Sequence, residues 1–127
     1  VLTAHLRAPA ARDSLVSVVL PTFNRARLLP AAVNSVLTQS WTDVEVIVVD
    51  DGSIDDTRDV VDVLAAADPR VRYIHQPNGG VSAARNTALA NCRGALIAFL
   101  DSDDAWNPGK LETQVRILKA LPQVGMV

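Results

Sequence analysis

Residues Leu96-Ile97-Ala98-Phe99-Leu100 are apolar and end abruptly in Asp101-Ser102-Asp103-Asp104. Three carboxylates within four residues repel one another, and a divalent cation bound through hard oxygen ligands is a physical reason to hold them together. The alternative is a solvated acidic turn in which Asp104 caps the next helix. A continuous apolar run suits a strand buried on both faces, as in parallel sheets. Carboxylates just past its carboxyl end then lie where open α/β sheets bind ligands.

Other apolar runs end in the same way. Leu15–Leu20 is β-branched and apolar, is read as ended by Pro21, and leads into Thr22-Phe23-Asn24. Val44–Val49 leads into Asp50-Asp51-Gly52-Ser53. The shorter, alternating Val71–His75 reads as a strand nearer an edge, followed by Pro77-Asn78-Gly79-Gly80. In a parallel sheet all these ends fall on one side, and four converging polar loops favour a ligand site over four unrelated turns.

No glycine-rich loop follows the first run, so neither the P-loop nor the dinucleotide fingerprint is present. Phosphates must be held differently. Mg²⁺ commonly divides its octahedral shell between a few carboxylates and substrate phosphates, which suits the acids after Leu100. Asp51 can accept a hydrogen bond from a base N–H. Arg85 faces the same edge if its helix begins near Val81, and a guanidinium can contact phosphate bidentately; a solvated surface arginine is the plain alternative.

Helices must connect these strands. The first is expected over Leu28–Gln39, with Pro30 in its first turn and Leu29, Ala32, Val33, Val36 and Leu37 as one stripe. The second runs to Ala66, opened by a capping box of Ser53 and Asp56 and stopped by Asp68-Pro69. The third covers Val81–Asn91 and is closed by Arg93-Gly94. The fourth starts at Pro108, buries Leu111, Val115, Leu118 and Leu121, and ends at Pro122. Val124–Val127 reads as the start of a fifth strand. This alternation predicts a three-layer α/β/α arrangement, Rossmann-like, around a mainly parallel sheet truncated at its fifth strand. Residues 1–14 read as a flexible leader and 15–127 as the folded portion.

The 127 residues suffice for one modest domain or part of a larger one. A hydrophobic fraction of 49% with 20% charged residues marks a globular chain. A net charge of −2 carries no basic excess for nucleic acid. The apolar runs are far short of a transmembrane span. One cysteine, Cys92, excludes an internal disulfide and fits a reducing compartment, so the cytoplasm, or the cytoplasmic face of a membrane, is the expected location. Cys92, Trp41 and Trp106 are read as packing residues, with sugar stacking the alternative for Trp106. His75 is read as structural or solvated.

Val18-Val19-Leu20-Pro21-Thr22-Phe23-Asn24-Arg25, Val48-Val49-Asp50-Asp51-Gly52-Ser53, Asn78-Gly79-Gly80-Val81-Ser82-Ala83-Ala84-Arg85-Asn86 and Phe99-Leu100-Asp101-Ser102-Asp103-Asp104 together resemble the successive motifs of the family 2 glycosyltransferases of GT-A fold. The resemblance runs from about Val16 to Val127. It implies the donor-binding half of an inverting enzyme that uses a nucleotide-diphospho-sugar, usually UDP-linked, with Mn²⁺ or Mg²⁺. Carried over, Pro21, Thr22 and Asn24 line the nucleoside pocket, and Asp51 recognises uracil. Asn78 and Arg85 contact the nucleotide. Asp101, Ser102 and Asp103 form the Asp-x-Asp motif, with Asp103 on the metal and Asp101 on ribose or the metal's shell.

The family's general base and acceptor-binding elements are expected beyond Val127, so this fragment by itself is expected to transfer weakly or not at all. The acceptor class stays open, and an unfinished sheet edge can pair with a second copy. Alternatives are an inactive nucleotide-binding module and a receiver-like signalling domain. The latter would place an acid pair after the first strand and a phosphorylatable aspartate after the third.

Overall fold

The computed structural model describes the backbone of residues 2–4 and 12–127 and the side chains of residues 13–127. Its elements in chain order are β1 (Leu2–Ala4), β2 (Arg12–Thr22), α1 (Leu29–Leu37), β3 (Val44–Asp50), α2 (Thr57–Ala67), β4 (Val71–His75), α3 (Val81–Ala90), β5 (Gly94–Phe99) and α4 (Lys110–Ala120). They form one sheet in the order β1-β5-β2-β3-β4. β5, β2, β3 and β4 are mutually parallel, and β1 joins β5 antiparallel. The α/β, mainly parallel expectation therefore holds, with β4 on an edge as its alternating pattern implied.

Strand parity sorts the core into two layers, because successive side chains point to opposite faces. Val16, Val18 and Leu20 of β2 join Val44, Val46 and Val48 of β3 under Leu29, Val33 and Val36 of α1, Val61 of α2, and Leu111 and Val115 of α4. Val19, Ile47, Val49 and Ile97 meet Ala84 and Ala88 of α3 on the opposite face. Small residues on α3 let it lie close to the sheet. Beyond its reach, the same face carries a polar network. Ser17 Oγ donates to Glu45 Oε1 at 2.6 Å across the β2–β3 rung, and Arg72 Nη1 reaches Glu45 Oε2 at 3.0 Å. The Arg93 N–H donates to Glu45 Oε1 and the Gly94 N–H to Ser17 Oγ, tying the α3–β5 turn to the sheet. A buried carboxylate satisfied in this way avoids the large cost of an unpaired charge.

Several local expectations change. The leader reading fails at Leu2–Ala4, which pairs with Leu96–Ala98, and at Arg12–Ser14, which begins β2. The outer edge of β5 would otherwise leave backbone groups unpaired. His5 and the rest of the leader lie outside the described residues. At Val124–Val127 only Met126 makes a bridge, and no strand forms there; the β5 edge that a further strand could join is taken by β1.

Pro21 does not end its strand, since β2 continues to Thr22 with Pro21 opposite Val49. Val19 bonds to β5 through its carbonyl, and Thr22 bonds to the β3 side. By alternation Pro21 faces the β5 side, past the last β5 rung, where a missing N–H breaks no ladder bond. The capping box is also absent. Asp56 at the α2 N-cap makes no side-chain cap bond, and Ser53 Oγ instead accepts the Asn24 N–H at 2.8 Å. Asp55 takes the capping role nearby, accepting both the N–H and the hydroxyl of Thr57. Gly94 begins β5 rather than closing α3, and Leu121 is exposed.

Trp41 and Trp106 pack against the larger core, with Lys119 and Lys110 ammonium groups 4.9 and 4.8 Å from their ring centres. Both tryptophans thus serve as packing residues whose outer faces are covered by cations. Cys92 packs against the α3 layer, and burial pushes its thiol up to about 11. Among the described residues no helix is long and apolar enough to cross a membrane.

Candidate functional site

The parallel strands deliver their carboxyl ends to one edge, and four loops meet there in a cleft of about 450 Å³. The loop after β2 supplies Pro21, Thr22, Phe23 and Arg25. The loop after β3 supplies Asp51, and the loop after β4 supplies Asn78 and Gly80. The start of α3 adds Val81, Ala84 and Arg85, and the turn after β5 adds Asp101, Ser102 and Asp103. Convergence of these loops is the expected outcome of a parallel sheet, and it brings together eight of the nine residues singled out from the sequence.

Asn24 is the ninth, and it is placed differently. Its side-chain oxygen accepts the Ile54 N–H at 2.9 Å while its own N–H donates to Ser53. Asn24 adopts φ 52°, a left-handed conformation that asparagine tolerates better than most residues. It braces the β2 loop on the β3 loop and does not line the cleft.

Asp51 is almost fully buried, and its carboxylate is held from three directions. Oδ1 accepts Gln76 Nε2 at 2.7 Å and the Gly79 N–H at 2.9 Å; Oδ2 accepts the Gly80 N–H at 2.8 Å. Gly80 at φ 93° turns its N–H toward this carboxylate, a conformation that side chains with a Cβ rarely adopt. Gly52 lets the two loops touch, since a Cβ there would lie 2.8 Å from the Asn78 nitrogen. Asn78 Nδ2 in turn donates to the Asp51 carbonyl at 3.0 Å.

Burial would push the Asp51 carboxyl up, but the Gly79 N–H, the Gln76 amide and the Gly80 N–H together hold it below its ordinary value of 3.8. A depressed folded pKa contributes stability that is complete above the unfolded value and is lost as pH falls through the folded one. The urea midpoint is therefore expected to be flat near neutrality and to fall below about pH 4, with a shallower fall in Asp51→Asn. Equal acid slopes in both proteins would show that this carboxylate does not carry the effect.

Asp50, beside it, is committed to structure: Oδ1 accepts the Ser53 N–H and Oδ2 the Tyr73 hydroxyl, each at 2.8 Å. Burial and this bond to Asp50 raise the phenol's pKa, keeping it a donor.

On the α3 and β5 side, Arg85 Nη2 lies 3.0 Å from Asp101 Oδ1. Among the described residues, the Arg85 Nε is buried without a hydrogen-bond partner, and so is the hydroxyl of Thr22. Orphaned buried polar atoms are rare in folded proteins, and a pair of them on residues lining one cleft suits a polar ligand. Ser102 is buried, whereas Asp101 and Asp103 are exposed. No group of three His, Cys, Asp or Glu side chains suited to a metal exists among the described residues. Two exposed carboxylates in a cleft fit a cation that takes the rest of its shell from ligand phosphates and water.

Phe23 and Gly80, expected only as parts of the converging loops, line the cleft, and Arg25, Val81 and Ala84 line it and Gln76 stands behind Asp51 with no expectation from the sequence. The adjacency of Phe23 and Arg25 to Thr22 was a usable signal. Gln76 carried none beyond its place at a strand end. His75 is exposed and lies off the cleft lining, matching its solvated reading.

The Glycosyl transferase family 2 profile matches residues 17–127. An uncharacterized glycosyltransferase of Nostoc sp. PCC 7120 is 41% identical over 113 residues, which cover 88% of this chain and 35% of that protein. The chain thus spans about a third of that relative's length. S. aureus TarS 1–349 in complex with UDP superposes with a TM-score of 0.76 at 29% identity, covering 83% of this chain and 32% of that one. The Pyrobaculum calidifontis mannosyltransferase PcManGT, in complex with GDP-Man and Mn²⁺, superposes with a TM-score of 0.76 at 26% identity, covering 91% of this chain and 35% of that one.

Proposed function

The chain belongs to glycosyl transferase family 2, and from this premise we propose that its cleft is the donor site of an inverting glycosyltransferase, binding a UDP-sugar together with Mn²⁺ or Mg²⁺. The observation that carries this reading is the composition of a single cleft. It contains an acceptor carboxylate on Asp51, a guanidinium with a free buried N–H on Arg85, and two exposed carboxylates on Asp101 and Asp103. These suit, respectively, a base N–H, a phosphate oxygen and a cation shared with the diphosphate. The complexes of TarS with UDP and of PcManGT with GDP-Man and Mn²⁺ support the same class of ligand.

Each residue then has a defined task. Asp51 accepts a hydrogen bond from the base. The Thr22 hydroxyl and Pro21 form the buried wall beside it, and Asn78 holds the Asp51 backbone. Asp103 is the direct metal ligand, because Asp101 already shares one oxygen with Arg85. A bound divalent ion supplies Lewis-acid stabilisation of the negative charge that grows on the departing diphosphate. Arg85 is placed to add its own charge to the same group. Inversion also needs a base on the opposite face of the sugar to take the acceptor's proton, and we assign that role to none of the described residues.

Calorimetric titration of the chain with UDP, with and without Mn²⁺, tests the reading. UDP is expected to bind, and to bind at least about tenfold tighter with the metal, since the ion adds charge-assisted contacts to both phosphates. A folded chain that ignores UDP in Mn²⁺ would overturn it.

A further inference from the structure

We propose that Gln76 and Thr87 are positioning residues that set nucleobase selectivity, by holding Asp51 as an acceptor with a single open lone pair toward the cleft. This rests on the donor-site reading and names what that site selects. Neither residue lines the cleft, so each acts through Asp51.

The N–H groups of Gly79 and Gly80 can only donate, and they point at Oδ1 and Oδ2 of Asp51. With the Gln76 amide, three N–H donors converge on the two oxygens, which favours the anion over the protonated acid. Gln76 must then present its Nε2 to Oδ1, at 2.7 Å. That fixes the amide's other end: Gln76 Oε1 faces Thr87 Oγ1 at 2.5 Å, and Thr87 must be the donor. Hydrogen-bond direction thus runs from α3 through the β4 loop to Asp51, and the amide cannot flip without setting its oxygen against Asp51 Oδ1.

A carboxylate oxygen offers about two lone-pair sites. Among the described residues Oδ1 is filled by Gln76 and Gly79, whereas Oδ2 is filled only by Gly80. One acceptor site is left, fixed in direction. Such a site takes a base that presents a ring N–H, as uracil and guanine do. It disfavours cytosine, whose ring nitrogen at that place presents a lone pair. Without the Gln76–Thr87 support, Oδ1 regains a free site and the carboxylate can rotate to meet the cytosine amine.

The test is the ratio of UDP to CDP affinity, measured by calorimetry in Mn²⁺ for the wild type, Gln76→Ala, Thr87→Val and Thr87→Ser. The wild type is expected to prefer UDP by about tenfold or more, as for a site that leaves a buried polar group opposed by the wrong base. Gln76→Ala is expected to remove most of that preference and Thr87→Val part of it. Thr87→Ser, which keeps the hydroxyl, is expected to retain it. Affinity for inorganic pyrophosphate should not change in any variant, which separates selectivity from a general loss of structure. An unchanged UDP-to-CDP ratio in folded Gln76→Ala or Thr87→Val would overturn the relay while leaving the donor site in place. A wild type that binds neither nucleotide would overturn the donor-site reading and this inference with it.

Discussion

Asp103→Ala is expected to abolish the Mn²⁺ dependence of UDP binding, lowering UDP affinity in Mn²⁺ by about ten- to a hundredfold, the range for losing an interaction with a charged group. The fold should not change, because Asp103 is exposed and its side chain makes no hydrogen bond or ion pair among the described residues. Asp101 is a less clean target. It is paired with Arg85, so its removal also frees a guanidinium inside the cleft. That pairing leaves Asp103 as the carboxylate with both oxygens open to a cation. Calorimetry of the variant with UDP, with and without Mn²⁺, reads the effect directly. If the Mn²⁺ enhancement survives in Asp103→Ala, the metal is held by other groups.

The largest effect on stability is expected from Gly94→Ala. A Cβ at Gly94 would stand 2.3 Å from the Leu15 carbonyl oxygen and 2.9 Å from Ser17 Oγ. The first is backbone and cannot rotate aside, so β5 would have to move away from β2. That movement also breaks the Gly94 N–H bond to Ser17, and with it the buried Ser17–Glu45 pair that orders the turn. Disturbing such a network costs about 3–5 kcal/mol, a large part of the stability of a small domain. A urea melt is expected to show a midpoint lowered accordingly, or no folded baseline. Gly125→Ala is the control, as nothing lies within 4 Å of a Cβ there. Its change is expected within about 0.5 kcal/mol. Similar midpoints for the two variants would mean that β5 can yield without loss.

Much of this architecture is written in short-range pattern. The unbroken apolar runs at Val46–Val49 and Leu96–Leu100 declare strands buried on both faces, and the 3.6-residue stripes of α1 and α4 declare helices packed on a sheet. Alternation of the two kinds forces parallel pairing, and parallel pairing forces the polar ends onto one edge. The edge so formed carries Thr22, Asp51, Asn78, Arg85 and Asp101 through Asp103 in one cleft.

Tertiary structure decided what depends on contacts between segments distant in the chain. A proline ends a strand only if its missing N–H faces a neighbour, and β5 stops short of Pro21. A Ser-x-x-Asp spacing makes a capping box only if no better partner competes, and Ser53 is claimed by Asn24 from the β2 loop. Leu2–Ala4 carries no strand pattern of its own and becomes one by completing the open edge of β5. The same holds for the acids from which the site was read. Sequence placed Asp101 and Asp103 together at a strand end, equally compatible with a solvated turn. Only the fold set Arg85 against Asp101 and left Asp103 open, and only the fold gathered Gln76, Gly79 and Gly80 around Asp51. Local periodicity encodes which segments are buried. The direction of a hydrogen bond between loops depends on register and loop approach, which no short stretch of sequence contains.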